Sequence, residues 1–164
     1  MNIDIDIDFN LSYFLTAFVS LGITTLLTFI IGYEREKRSH VAGFITHMLV
    51  GIGSCIFTLS SIYMDVASDK SRIASQIVSG VGFLGSATIF KSKKDIMKGI
   101  NTAANLWIAA GIGLTVGAGL WEIALVASIM VIFVLFINST YKKYKFKKIK
   151  KKKRERIDII IDAI

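Results

Sequence analysis

Between Leu11 and Ile31 the chain runs for 21 residues without a single charge, and such a stretch permits few folds. In hydrocarbon every backbone N–H and C=O has to be satisfied within the protein, so only helices and closed barrels cross a bilayer. A helix needs roughly 20 apolar residues to do so. Four more apolar runs follow, over residues 41–64, 73–90, 100–119 and 123–141, the second interrupted only by His47. The third is near the lower length limit. Of 164 residues, 53% are hydrophobic and 20% charged, and the charges gather in short blocks between the runs. That apolar content excludes a disordered chain, and the lone Cys55 excludes a disulfide-stapled domain. The expected fold is all-α: a polytopic bundle of five transmembrane helices within residues 1–141, then a basic tail over 142–164.

Positive charge sets the expected orientation. Arg35, Lys37 and Arg38 lie in one loop, Lys91, Lys93, Lys94 and Lys98 in another, and eleven more between Lys142 and Arg156. If the runs cross in alternation, these eighteen share one side and only Lys70 and Arg72 face the other. Basic loops stay cytoplasmic, so the N-terminus is expected outside and the tail inside. Trp121, Tyr63 and Tyr141 stand at run ends, where amphipathic aromatics favour the headgroup level. Before Leu11 the chain carries Asp4, Asp6 and Asp8 and no basic segment, so the first run is expected to remain as an anchor, not a cleaved signal.

The tail lysines Lys142, Lys143, Lys145, Lys147 and Lys148 follow a span directly. Basic residues there are attracted to anionic lipid headgroups by about 1 kcal/mol each, and this reading is preferred to nucleic-acid binding. Residues 156–162 (Arg-Ile-Asp-Ile-Ile-Ile-Asp) are too short to span and are expected to form one β-strand.

Helices in membranes pack through small residues and share hydrogen bonds across their interfaces. His47, Gly51, Ser54, Thr58 and Ser61 lie on one face of the second run. Ser75, Ser79, Gly82 and Ser86 recur on the third at the same spacing. Ala103, Ala110, Gly113 and Gly117 do so on the fourth. All three stripes are expected to be packing faces.

Five other polar residues converge in depth rather than along one helix. Glu34 and Arg35 end the first run, His47 lies about two turns into the second, and Asn101 and Asn105 open the fourth. All belong to the inner leaflet in the expected orientation. Intramembrane ionisable groups are costly and usually have partners, so the cluster is either a functional site or a buried network that fixes helix positions. Gly43-Phe44-Ile45-Thr46 and Gly99-Ile100-Asn101-Thr102 echo one another at two helix starts. Helix N-termini favour anions. With Arg35 nearby, the site suits a carboxylate or phosphate better than a bare cation.

Catalytic patterns fail on context. Gly80-Val81-Gly82-Phe83-Leu84-Gly85 satisfies GxGxxG but sits inside an apolar run with no βαβ unit. Asp4, Asp6 and Asp8 imitate an EF-hand start, yet Phe9 stands where glycine is required and Leu15 where the bidentate glutamate belongs. Cys55 and His47 share nearly one helix face without a further polar helper, so no nucleophile pair is expected. No catalytic residue, cofactor or metal site is expected, and no enzyme.

The segments 32–38 (Gly-Tyr-Glu-Arg-Glu-Lys-Arg), 42–50, 72–85 (Arg-Ile-Ala-Ser-Gln-Ile-Val-Ser-Gly-Val-Gly-Phe-Leu-Gly) and 101–107 resemble the MgtC/SapB family of bacterial inner-membrane proteins. The family usually has arginine where Ile45 stands, threonine at the position of Asn101, and Gly-Ala-Gly where Gly85-Ser86-Ala87 stands. The resemblance implies five spans with the N-terminus outside. It also implies a link to magnesium limitation, acid stress and virulence, and action through restraint of the F-type ATP synthase. Longer members add a cytoplasmic ACT-like domain, of which Ile157–Ile161 is expected to be the first strand. Both a short family member and a truncated chain fit. Two functions are open: a non-catalytic regulator that contacts another membrane protein, and a small ion channel or transporter for Mg²⁺ or protons, which would require a homo-oligomer.

Overall fold

The computed structural model describes residues 10–37, 42–63, 71–92 and 95–162, with backbone alone for 71, 142–143 and 145–162. Asp4, Asp6, Asp8, Arg38, Lys70, Lys93 and Lys94, on which part of the charge and motif reasoning rests, lie outside the described residues. Five helices account for nearly all of the rest: α1 (Leu11–Glu36), α2 (Phe44–Tyr63), α3 (Ser71–Ser86), α4 (Ile100–Gly117) and α5 (Trp121–Asp162). The two short strands β1 (Phe90–Lys91) and β2 (Met97–Lys98) pair between α3 and α4. The fold is the all-α bundle expected.

Local chemistry explains the helix ends. Asn10 caps α1, its side-chain oxygen accepting from the N–H groups of Ser12 and Tyr13 at 3.0 and 3.3 Å, which satisfies two donors that the first turn leaves open. At the far end of α4, Gly119 takes φ +80°, and the N–H of Leu120 returns to the Thr115 carbonyl at 2.9 Å. This left-handed cap ends the helix and frees the chain to start α5. Hydroxyls inside the helices bond back to their own backbone: Thr28 to the Thr24 carbonyl at 2.7 Å, Thr58 to Ser54 at 2.8 Å, and Ser128 to Ala124 at 2.7 Å. Such bonds let polar side chains sit in an apolar bundle without orphaned hydrogens.

Among the described residues, four helical segments are long and apolar enough to cross a membrane: α1, α2, α4 and the stretch Trp121–Tyr141 of α5. Helix α3 is the exception. Its 16 residues rise about 24 Å at 1.5 Å each, short of the ~30 Å hydrocarbon core. The apolar run over 73–90 is therefore not one helix. The chain turns after Ser86, with the Thr88 hydroxyl donating to the Gly85 carbonyl at 2.8 Å, and Phe90 enters β1.

The chain divides into two compact units, Met1–Ser128 and Ile129–Ile164. In the first, α2 is central and packs on α1, α3 and α4, while α4 also touches α1 and α3. The tightest crossing lies at Gly51. A Cβ there would sit 2.6 Å from the Thr28 methyl and 3.2 Å from that of Thr24 on α1, and 3.4 Å from the Ala109 carbonyl on α4. In the second unit the backbone stays helical to Asp162. This corrects the strand expected over 156–162. A helix already running needs only one more residue fixed per added bond, whereas a lone strand has no partner to pair with.

Candidate functional site

The C-terminal end of α1 and the N-terminal ends of α2 and α4 carry the polar residues. Arg35, in the last turn of α1, is only 1% exposed, and His47, in the first turn of α2, is fully buried. The two are near enough for their charges to interact. His47 Nδ1 lies 2.7 Å from the Gly43 carbonyl. A carbonyl can only accept, so Nδ1 carries the proton and, in the neutral ring, Nε2 carries a lone pair. Nε2 is buried without a hydrogen-bond partner among the described residues. The close approach of α1 and α2 here needs Gly32, whose added Cβ would stand 2.5 Å from the Phe44 Cα and 3.0 Å from the His47 Cβ. Glu34 is half-buried beside this pair in sequence.

Helix α4 contributes differently from expectation. Asn105 is buried, and its side-chain amide donates to the Asn101 carbonyl at 2.6 Å. The Asn101 side chain itself is exposed. Thr102, buried at 2%, takes the inward position instead, one residue along the same turn. The structure thus brings Arg35 and His47 together, buries Asn105, and leaves Asn101 outside.

Two residues missed from the sequence belong to this end of the bundle. Glu36 accepts the Phe44 N–H at 3.2 Å and its carboxylate touches Gly43. It caps α2 from eight residues upstream and places negative charge where the helix dipole favours it. The second is Thr102, whose signal was its place one residue beyond Asn101 in the echoed Gly-x-x-Thr pattern. That echo marks two true helix starts, since Gly43 and Gly99 immediately precede α2 and α4. The shared anion-binding character does not follow. Glu36 occupies the start of α2, and at Gly99 a φ of +91° packs the chain against the Thr88 carbonyl.

The packing stripes divide. On α2, His47, Gly51, Ser54, Thr58 and Ser61 all face inward. On α4, Gly113 lies against the Gly51 carbonyl, and a Cβ on Gly117 would come 2.9 Å from both the Cys55 carbonyl and the Thr58 Cβ. On α3 the expected face is the wrong one. Ser75, Ser79, Gly82 and Ser86 are exposed, and nothing lies within 4 Å of a Cβ at Gly82. Instead α3 packs through Ile77 and Val81, against Val50, Ala110 and Leu114, and through Gly85, where an added Cβ would lie 3.4 Å from the Ala103 Cβ. The five tail lysines Lys142, Lys143, Lys145, Lys147 and Lys148 follow the α5 backbone, and their side chains lie outside the described residues.

Residues 21–144 match the model of the MgtC family. The chain is 42% identical over 110 residues to a protein of Escherichia coli K12 named "Putative magnesium transporter YhiD", covering 62% of this chain and 51% of that one. It is 35% identical over 122 residues to protein SapB of Bacillus subtilis, covering 70% and 53%. It is 45% identical over 108 residues to protein MgtC of Salmonella typhimurium, covering 65% and 46%. The chain spans about half the length of these curated relatives. No solved structure matches it. The matched region is more than half of the chain and contains the Gly51 crossing and the buried Arg35–His47 pair, and the chain belongs to the MgtC family.

Proposed function

We propose that the protein is a non-catalytic regulator in the bacterial inner membrane, acting by intramembrane contact with another membrane protein. The F-type ATP synthase is the first partner to test, and low magnesium or acid stress the condition. The observation that carries this reading is the closure of the α1–α2–α4 seam. Gly51 and Gly113 bring backbone to backbone, and the Thr24 and Thr28 methyls fill the remaining side. A hydrated ion has no room along that seam within one copy of the chain. A network sealed in this way fixes helix positions for a partner to read.

A second reading, a Mg²⁺ or proton pathway through an oligomer, is favoured by the name that the YhiD relative carries. Reconstitution separates the two. Vesicles containing the protein should take up no more Mg²⁺ or protons than empty ones. Saturable flux that disappears in Glu34→Gln would overturn the regulator.

Orientation is part of the proposal: N-terminus outside, five crossings, tail in the cytoplasm. In a Cys55→Ser background, single cysteines at Asn2 and Asp69 should react with a membrane-impermeant thiol reagent in intact cells, and one at Lys94 should not. Labelling at Lys94 reverses the orientation and moves the Arg35–His47 pair to the outer leaflet.

A further inference from the structure

We propose that the β1–β2 hairpin is an interfacial anchor that takes anionic phospholipid, completing on the lipid side what the short α3 leaves uncovered. The proposal rests on the membrane placement of α1, α2 and α4, and it is independent of whether the protein regulates or transports.

The hairpin is a built element. Phe90 pairs with Lys98 and Lys91 with Met97. The turn is closed by the Ser92 N–H to the Ile96 carbonyl at 3.0 Å and the Asp95 N–H to the Ser92 carbonyl at 2.9 Å, with Asp95 at φ +62°. Its base is clamped to the bundle. Thr88 is tied to α3 through the Gly85 carbonyl, and Gly99, at φ +91°, runs so close to the Thr88 carbonyl that no side chain fits.

Its surface has no use in water. Phe90, Ile96, Met97 and the neighbouring Ile100 are all about half exposed. Directly opposed residues of a strand pair share a face, as do residues two apart. Phe90, Ile96 and Lys98 therefore lie on one face, and Lys91 and Met97 on the other. Lys91 is held by Asp95 at 2.8 Å, both largely exposed. One face is thus two apolar side chains with a long cation between them, and the other sets Met97 beside an ion pair suited to water.

Depth supplies the second half of the argument. Helix α3 ends roughly 6 Å short of a full crossing, taking ~30 Å for the hydrocarbon core. The hairpin begins four residues later, at that edge. A two-stranded ribbon has unpaired backbone on both sides, which excludes it from hydrocarbon but suits the hydrated headgroup layer. There Phe90 and Ile96 reach into the acyl boundary while Lys98 extends back to the phosphates. Charge selects the lipid: between residues 91 and 98 the sequence has four lysines against one aspartate. Such a segment is drawn to anionic headgroups.

Spin labels on the full chain test this. In a Cys55→Ser background, Ile96→Cys and Lys91→Cys are labelled separately and placed in vesicles of phosphatidylcholine, with or without phosphatidylglycerol. The ratio of collisions with oxygen to collisions with a water-soluble nickel chelate should be several-fold higher at Ile96 than at Lys91. Phosphatidylglycerol should raise the ratio at Ile96, and Lys98→Gln should abolish that rise. Equal ratios at the two positions would mean the hairpin stands in water. Exclusion of both reagents from Ile96 would mean protein covers it, a second copy included. A ratio at Ile96 indifferent to phosphatidylglycerol would remove the anionic lipid. Each of these overturns the proposal.

Discussion

Replacing Gly113 with leucine should remove most of the folded protein, whereas Gly82→Leu should be nearly silent. Both glycines belong to small-residue stripes with the same helical spacing, so the contrast isolates what surrounds them. At Gly113 an added Cβ runs into the Gly51 carbonyl and lies 2.9 Å from the Gly51 carbonyl carbon and 3.1 Å from the Cys55 nitrogen. These are backbone atoms of a central helix and cannot swing aside as a side chain tip does. Overpacking costs about 1–3 kcal/mol where neighbours adjust. Here α2 and α4 must separate along their whole contact, so the cost belongs at or above the top of that range. At Gly82 the new side chain meets nothing and simply joins the outward face of α3 beside Phe83. Size-exclusion profiles and melting curves in detergent would show it: a collapsed yield or a melting point many degrees lower for Gly113→Leu, and a curve close to wild type for Gly82→Leu. A Gly113→Leu protein that melts like the parent would mean α2 and α4 do not pack where Gly51 and Gly113 meet.

The same pair of glycines shows how far the sequence can be read. That α1, α2 and α4 are helices follows from their apolar runs, because backbone in lipid has no other way to satisfy itself. The inward faces of α2 and α4 were legible too, since on those helices the small and polar residues stand out against large apolar ones. Helix α3 defeats this logic. Its two candidate faces, Ser75–Ser79–Gly82–Ser86 and Ile73–Ile77–Val81–Gly85, have equal periodicity, and only tertiary contact selects between them. The bundle selects the apolar one, as a water-soluble protein does. The end of α3 was equally hidden, because hydropathy continues to Phe90 while the helix stops at Ser86, where the Thr88 hydroxyl captures the Gly85 carbonyl. Asn101 and Asn105 share a face by spacing, yet Asn101 lies in the first turn of α4 and remains exposed. Spacing along a helix can be read from sequence. Whether a neighbouring helix reaches a given turn cannot.

The buried Arg35–His47 pair offers the second large effect. His47→Asn should leave folding nearly intact and abolish the ability of the gene to restore growth in low magnesium to a strain that lacks it. Asparagine places its amide N–H where Nδ1 stood and can still donate to the Gly43 carbonyl, as Asn105 does to the Asn101 carbonyl, which keeps the start of α2 satisfied. What it loses is the ring nitrogen Nε2, buried beside Arg35 and engaged with no other described residue. If that nitrogen serves only to hold helices together, losing it should cost about 1–3 kcal/mol as a buried polar group goes unmet. The surviving folded fraction would then still rescue growth. If it serves a partner or a conformational step, stability should change little and rescue should fail. Arg35→Met provides the control for a structural loss, since it removes a buried cation from the α1–α2 contact and is expected to lower the melting point whatever the function. Melting and rescue measured on the same variants distinguish the outcomes. A His47→Asn protein that is destabilised yet fully active assigns the cluster to architecture, and the contact with a partner must then be sought on the outward faces of the bundle.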